Sequence, residues 1–214
     1  MIFKADHFGV NDPGAVVASL RCPACRQQGT FEPVGAQDTY LTGGNAGSHV
    51  WLGQRRCPNP DCHAHIFFAW DGQRVIVSYP PETIDFDATN IPVAIVSAFE
   101  EAITCHAASC FTAAAIMVRK TLEELCTERA ASGANLKERL KALGSKVVLP
   151  KELIDGLDDL RLLGNDAAHI ESKEYDKVGQ EEVEVGIEFT KEVLKAVYQY
   201  SSLLARLRAL KKNP

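Results

Sequence analysis

With 214 residues, 46% hydrophobic and 24% charged, the chain suits one large globular domain or two modest ones. A formal net charge of −5 excludes a protein that coats nucleic acid wholesale through phosphate contacts, while leaving room for a local basic groove. The longest apolar runs, Ile91 to Phe99 and Phe111 to Val118, are too short to span a bilayer, so no membrane association is expected.

The opening MIFKADHFGV lacks the basic and apolar regions of a signal peptide. Seven cysteines without an export signal favour thiols and metal over disulfides, which places the protein in the cytoplasm. The chain divides by composition. Residues 1–80 hold short β-rich runs among Gly43, Gly44, Gly47, Pro58 and Pro60, whereas residues 81–214 are rich in Ala, Leu and Glu with helical periodicity. The boundary falls within Pro80 to Asn90, and no internal repeat is present.

In the first region, Cys22-Pro23-Ala24-Cys25 and Cys57-Pro58-Asn59-Pro60-Asp61-Cys62 make two close cysteine pairs, 31 residues apart. Zinc prefers four soft ligands in a tetrahedron, and two tight turns carrying two thiolates each supply them. The prolines stiffen both turns and lower the entropy lost on ordering. Strand-like runs follow at His49 to Leu52, Ile66 to Trp70 and Arg74 to Tyr79, with Asp71-Gly72 as a hairpin signal between the last two. The expectation is a zinc-ribbon-like domain with Cys22, Cys25, Cys57 and Cys62 as ligands of a structural zinc ion.

The wider second pair leaves His63 as an alternative to Cys62, although His63 and His65 read more simply as surface or hydrogen-bonded imidazoles. Arg21, Arg26, Arg55 and Arg56 flank the knuckles, but six basic and six acidic side chains leave residues 1–80 neutral. Nucleic-acid contact by this region is therefore an open alternative.

In the second region, Asn90 is expected to cap a helix with Pro92 in its first turn, running to about His106 with Ile95, Phe99, Ala102 and Ile103 inward. Ser109 should cap the next, to about Ala131, closed at Gly133 and burying Ala114, Ile116, Met117, Leu122 and Leu125. Asn135 with Glu138 is a capping-box start to a short helix ending at Gly144. A helix from Pro150 carries Leu153, Leu157, Leu160 and Leu163. One long helix from about Gly179 to Leu210 completes an antiparallel bundle, with Leu194, Leu204 and Leu207 inward and Gly186 as a weak point. Cys105, Cys110 and Cys126 lack ligand spacing and read as small hydrophobes. The fold class is α+β, a β-rich zinc ribbon followed by an all-α bundle.

Arg161, Asn165 and His169 recur every four residues on the helix after Pro150, which sets them along one slanted stripe. A guanidinium, an amide and an imidazole so aligned form either a site or a well-capped helix end. In the second reading Arg161 pairs with a nearby aspartate, Asn165 satisfies local backbone and His169 caps the last carbonyls.

Four segments carry a family resemblance: Tyr79-Pro80; Ile91-Pro92 leading to Phe99-Glu100-Glu101-Ala102; Val118-Arg119-Lys120-Thr121-Leu122-Glu123; and Arg161-Leu162-Leu163-Gly164-Asn165-Asp166-Ala167-Ala168-His169. Through them, residues 79 to 205 resemble the domain-of-unknown-function family 4145, a branch of the HEPN superfamily of helical-bundle proteins. That superfamily includes metal-independent ribonucleases of toxin and antiviral defence systems, and inactive RNA-binding relatives.

Its usual motif has four to six residues between Arg and His and a polar residue after the Arg. Here seven residues intervene, Leu162 follows Arg161, and Asn165 supplies the polar group. The resemblance implies RNA cleavage by the adjacent 2′-hydroxyl, with His169 as general acid or base, Arg161 on the phosphoryl oxygens and Asn165 holding phosphate or imidazole. It further implies that Arg119 contacts nucleic acid or pairs with Glu123, that the protein forms a homodimer through the bundle, and that it can serve a larger defence assembly. A non-catalytic nucleic-acid-binding or adaptor subunit is the alternative.

Overall fold

The computed structural model describes residues 4–11, 18–35, 38–44, 49–147, 149–168 and 178–210. The chain forms two compact units, Met1–Thr83 and Ile84–Pro214.

Among the described residues, the first unit is an antiparallel sheet of seven strands: β1 (His7–Asn11), β2 (Ala18–Arg21), β3 (Gln28–Pro33), β4 (Asp38–Thr42), β5 (Val50–Arg56), β6 (His65–Trp70) and β7 (Val75–Tyr79). β5 organises it. One edge of β5 pairs with β4 through Val50–Leu52 and with β3 through Arg55–Arg56, while its other edge pairs with β6 from Trp51 to Arg56. β1 extends the β4 side, β2 extends β3, and β7 continues from β6.

Successive side chains of a strand point to opposite faces, and β6 obeys this, burying Ile66 and Phe68 around the exposed Phe67. Ile66 and Phe68 join Ala18, Leu20 and Phe31 in a core that also contains Cys22 and Cys57. The hairpin expected at Asp71-Gly72 forms: Asp71 Oδ1 accepts from the backbone N–H groups of Gln73 and Arg74, and Gly72 takes a φ of 101°. The sheet exceeds the expected ribbon, because β1 to β4 lack long apolar alternation: β3 and β4 are recruited by pairing to β5, and β2 and β1 by pairing to them.

Among the described residues, the second unit has six helices: α1 (Val93–Ala107), α2 (Phe111–Glu128), α3 (Leu136–Gly144), α4 (Lys151–Ala168), α5 (Gln180–Tyr198) and α6 (Tyr200–Ala209). Their core centres on Ile95, Phe99, Val118, Leu122, Leu157, Leu163, Ile187 and Leu194. The α3 cap is as expected, with Asn135 Oδ1 accepting from Glu138 N at 3.0 Å and the Glu138 carboxylate accepting from Ala134 N.

Other boundaries differ. Asn90 and Ser109 are not caps; both adopt left-handed backbone, at φ 64° and 60°, and turn the chain before Pro92 and Cys110 take the cap positions. α2 ends at Glu128, with Ala130 at φ 50° and Ala131 N bonded to Cys126 O. Ile116 is exposed, and Ala115 and Val118 are buried in α2 instead.

The long last helix divides at Gln199, whose side-chain amide donates to the carbonyls of Asp87 and Thr89. Beyond it Leu204 and Leu207 are exposed rather than buried. Gly186 is buried, and a Cβ there would stand 3.0 Å from Leu163 Cδ2; its bare backbone lets α5 lie close to α4. Among the described residues, no helix is long and apolar enough to cross a membrane.

Candidate metal centre and the Arg–Asn motif

The two cysteine turns are built alike. In the first, Cys22 N bonds Gln27 O, Arg26 N bonds Cys22 O, and Arg26 takes a φ of 64° directly after Cys25. In the second, Cys57 N bonds Ala64 O, Cys62 N bonds Asn59 O, and His63 takes a φ of 50° directly after Cys62. A left-handed residue after the second cysteine folds each knuckle back, aiming both thiols inward. The extra residues of the second loop are absorbed by Asn59, whose side-chain oxygen also accepts from Asp61 N.

The four sulfurs lie within 4.8 Å of one another, so they could hold a metal ion. The Cys22–Cys62 separation is 3.8 Å and the Cys25–Cys57 separation 3.7 Å. A tetrahedron with metal–sulfur bonds of about 2.3 Å has edges of about 3.8 Å, so this spacing suits four-coordinate thiolate ligation. Backbone N–H groups of Ala24 and Cys25 point at Cys22 Sγ, from 3.4 and 3.5 Å, as donors that stabilise a thiolate.

The backbone N–H of Gln27 draws the Cys25 thiol down to about 6, while burial pushes Cys57 up to about 12. Crowded thiols cannot all ionise alone; a bound cation removes that conflict. His63 stands outside the cluster, and His65 Nδ1 lies 2.9 Å from the Gln54 side-chain amide.

The flanking arginines are engaged. Arg55 is wholly buried, with its guanidinium bidentate on Asp38 at 2.8 and 2.6 Å and stacked 4.5 Å over the Phe68 ring. Arg56 pairs with Glu32 at 2.5 Å across the β5–β3 register. Arg21 Nε donates to Arg26 O, and Arg26 donates to Thr83. The buried Asp38–Arg55 pair was not signalled by the sequence; a charged residue on a strand reads as solvent-facing until its partner across the sheet is known.

In the helical unit, Arg161 Nε donates to Asp158 Oδ1 at 2.6 Å, and the Arg161 side chain is only 14% exposed. The hydrogen bond from Arg161 holds the Asp158 carboxyl below its ordinary pKa, with Lys137 at 3.5 Å adding its charge. One turn on, Asn165 Oδ1 accepts from Arg119 Nη1 of α2, while Arg119 Nε pairs with Glu123 at 3.2 Å. Arg119 thus reaches the motif helix and also pairs within its own helix. His169 lies outside the described residues, so its place relative to Arg161 and Asn165 is not part of the site as described.

The feature that joins the two helices is Gly164. A Cβ there would fall 2.5 Å from Arg119 Cβ and 3.2 Å from Ala115 O, so the glycine permits the close approach that lets Arg119 span to Asn165. A glycine within an otherwise strong helical pattern was the signal for it. Cys126 is buried, Cys105 half-buried, and Cys110 exposed at the cap of α2.

A search of the curated proteins and of the solved structures finds no match to the chain. A family model, described as a domain of unknown function, matches residues 100–212, which contain α2 to α6, Arg119 and the whole Arg161 to His169 motif. Tyr79-Pro80 and Ile91-Pro92 fall before the match, as do all four clustered cysteines. The match spans more than half of the sequence, and the chain belongs to the DUF4145 family.

Proposed function

We propose that this chain is a HEPN-type nucleic-acid-associated protein of a prokaryotic defence or toxin system. Its helical unit would cleave RNA without a metal ion at Arg161, Asn165 and His169, and its sheet unit would be stapled by zinc on Cys22, Cys25, Cys57 and Cys62. The observation that carries the reading is the hydrogen bond from Arg119 to Asn165, which draws a second guanidinium from α2 onto the motif helix. Fixed cationic donors around a phosphate position are what stabilisation of a phosphoryl transition state requires. Four thiolates fit zinc, whose closed shell gives it a structural role.

In the proposed reaction, the imidazole of His169 takes the proton of a ribose 2′-hydroxyl as the 2′-oxygen bonds to the adjacent phosphorus. The bond from phosphorus to the 5′-oxygen breaks, and that oxygen leaves as a hydroxyl after protonation. The products are a 2′,3′-cyclic phosphate and a 5′-hydroxyl end. An imidazole is well poised for both transfers near neutral pH. Arg161 supplies charge to the phosphoryl oxygens, and Asp158, ionised at neutral pH, aims its guanidinium.

A second reading, a non-catalytic nucleic-acid-binding or adaptor subunit, is favoured by the same ion pairs. Arg161 and Arg119 already face Asp158 and Glu123, so phosphate must compete with carboxylate for them. Purified wild-type, His169→Ala and Arg161→Ala proteins incubated with labelled RNA, without added divalent ions and with or without EDTA, separate the two. The nuclease reading expects 2′,3′-cyclic phosphate ends from the wild type alone. Retarded RNA without cleavage, insensitive to His169→Ala but weakened by Arg161→Ala, supports the adaptor.

A further inference from the structure

Of the seven cysteines, four form the cluster of the sheet unit and Cys126 lies wholly inside the bundle core. The remaining two, Cys105 and Cys110, flank the turn between α1 and α2. Cys110 N donates to Cys105 O at 2.8 Å, Ser109 N donates to His106 O at 2.8 Å, and Ser109 holds a left-handed φ of 60°. This is a Schellman motif, in which a residue of the last helical turn meets the residue two places beyond the cap. Cys105 and Cys110 occupy those two places.

The hydrogen bond sets their reach. With standard backbone dimensions, an N···O distance of 2.8 Å caps the separation of the two Cα atoms at about 6.7 Å, whatever the angles of the bond. A disulfide spans about 4.4–6.8 Å between Cα atoms, so the pair stands within bridging distance.

The two thiols differ in access. Cys110 is exposed, and its Sγ turns back toward the end of α1, 3.7 Å from Ala108 O. Cys105 is half-buried against the bundle core. Burial pushes the Cys105 thiol up, and the charges of Glu101 and Cys110 push the same way. One thiol thus faces reagents in solution while the other waits behind it, the arrangement of an attacking and a resolving cysteine.

We propose that Cys105 and Cys110 form a dithiol modification site, closed reversibly to a disulfide by low-molecular-weight disulfides of the glutathione class. The Cys110 thiolate attacks one sulfur of the small disulfide, whose S–S bond breaks as one small thiolate leaves. Cys105 then gives up its proton, its sulfur attacks Cys110 Sγ, and the second small thiolate leaves. Two protein thiols are oxidised by two electrons, one small disulfide is reduced to two thiols, and those thiols carry away both protons. The new bond ties the last turn of α1 to the cap of α2. The site is separate from the phosphodiester reading and stands without it.

No Lys or Arg lies between Arg74 and Arg119, so trypsin releases both cysteines on one peptide, Val75 to Arg119, that holds no other cysteine. The full chain is incubated with oxidised glutathione, its remaining thiols are capped with N-ethylmaleimide, and the digest is read by mass spectrometry. The wild-type peptide is expected about 2 Da light, with neither glutathione nor maleimide attached, and dithiothreitol should restore it. Because the second thiol is held in place, the closed peptide should exceed the glutathione adduct at least about tenfold. Cys105→Ser should stop with one glutathione on Cys110, whereas Cys110→Ser should leave Cys105 free over the same time. Cys105→Ala replaces Cys105→Ser if serine lowers the helical circular dichroism. A wild-type peptide that accumulates the adduct, ends with two capped thiols, or is joined to a cysteine of another peptide would overturn the proposal. So would ready modification of Cys105 in Cys110→Ser.

Discussion

Arg119 Nη1 on α2 donates to Asn165 Oδ1 on α4, one residue beyond the glycine that lets the two helices touch. The bond joins residues 46 apart in sequence, and its geometry depends on Gly164 having no side chain. Gly164→Ala should therefore push α4 off α2. Overpacking of this kind costs about 1–3 kcal/mol, more than the roughly 0.5–1 kcal/mol an alanine adds to helix propensity. Gly144→Ala is the control: the nearest atoms to its Cβ all belong to the Ile154 side chain, Cδ1 at 3.1 Å and Cγ2 at 3.5 Å, and none is backbone. Urea unfolding followed by helical circular dichroism should show a clear loss for Gly164→Ala and little change for Gly144→Ala.

Metal removal should act on the sheet unit and spare the bundle. Cys22 and Cys57 sit in the core with Ile66 and Phe68, so losing an ion there unties both knuckles from the sheet. Metal analysis of purified protein should find one zinc per chain, and Cys57→Ser should lose it. A strong chelator should broaden the amide resonances of residues 18–35 and 49–79 while those of α1 to α5 stay in place. Purified protein free of tightly bound metal, with the sheet intact, would sink the zinc assignment.

The Asp38–Arg55 pair provides a third test. Both side chains are fully buried, and removing one partner strands the other charge without water. Asp38→Ala should destabilise the sheet unit by about 3–5 kcal/mol, whereas replacing both residues by apolar ones of similar volume should recover most of the loss. Thermal unfolding monitored by tryptophan fluorescence would report it, since Trp51 and Trp70 pair across β5 and β6.

Cys126 predicts an alkaline limit for the bundle. Burial pushes its thiol up from 9.0 to about 11, so the folded state holds the proton more tightly than the unfolded chain. The stability from this group is complete below about pH 9 and is lost as pH rises through 11. A shift of that size corresponds to about 2–3 kcal/mol. Unfolding free energies of wild type and Cys126→Ala across pH 8 to about 11.5 should converge as pH rises, since alanine has no thiol to ionise. Parallel curves would refute the assignment.

Local signals carried a good part of this molecule. The Asn135–Glu138 cap, the Asp71–Gly72 hairpin and the two cysteine turns depend on groups a few residues apart, and each formed where its residues stood. The helix ends at Asn90 and Ser109 were misplaced because one left-handed residue shifts a cap along the chain, and side-chain chemistry alone does not announce that shift. Ile116 and Leu207 kept helical spacing without a neighbour to bury them: periodicity names a face but not what covers it.

What the sequence determined by itself was therefore the order of β5 to β7 and of α1 to α5, the four clustered thiols and the stripe holding Arg161 and Asn165, all consequences of short-range spacing. Only the tertiary structure decided that Arg55 is buried on Asp38, that Arg119 reaches Asn165 over Gly164, and that Gln199 divides the last helix. Each of these joins groups far apart in the chain, and such contacts follow from how close two backbones can approach, a quantity no single segment encodes.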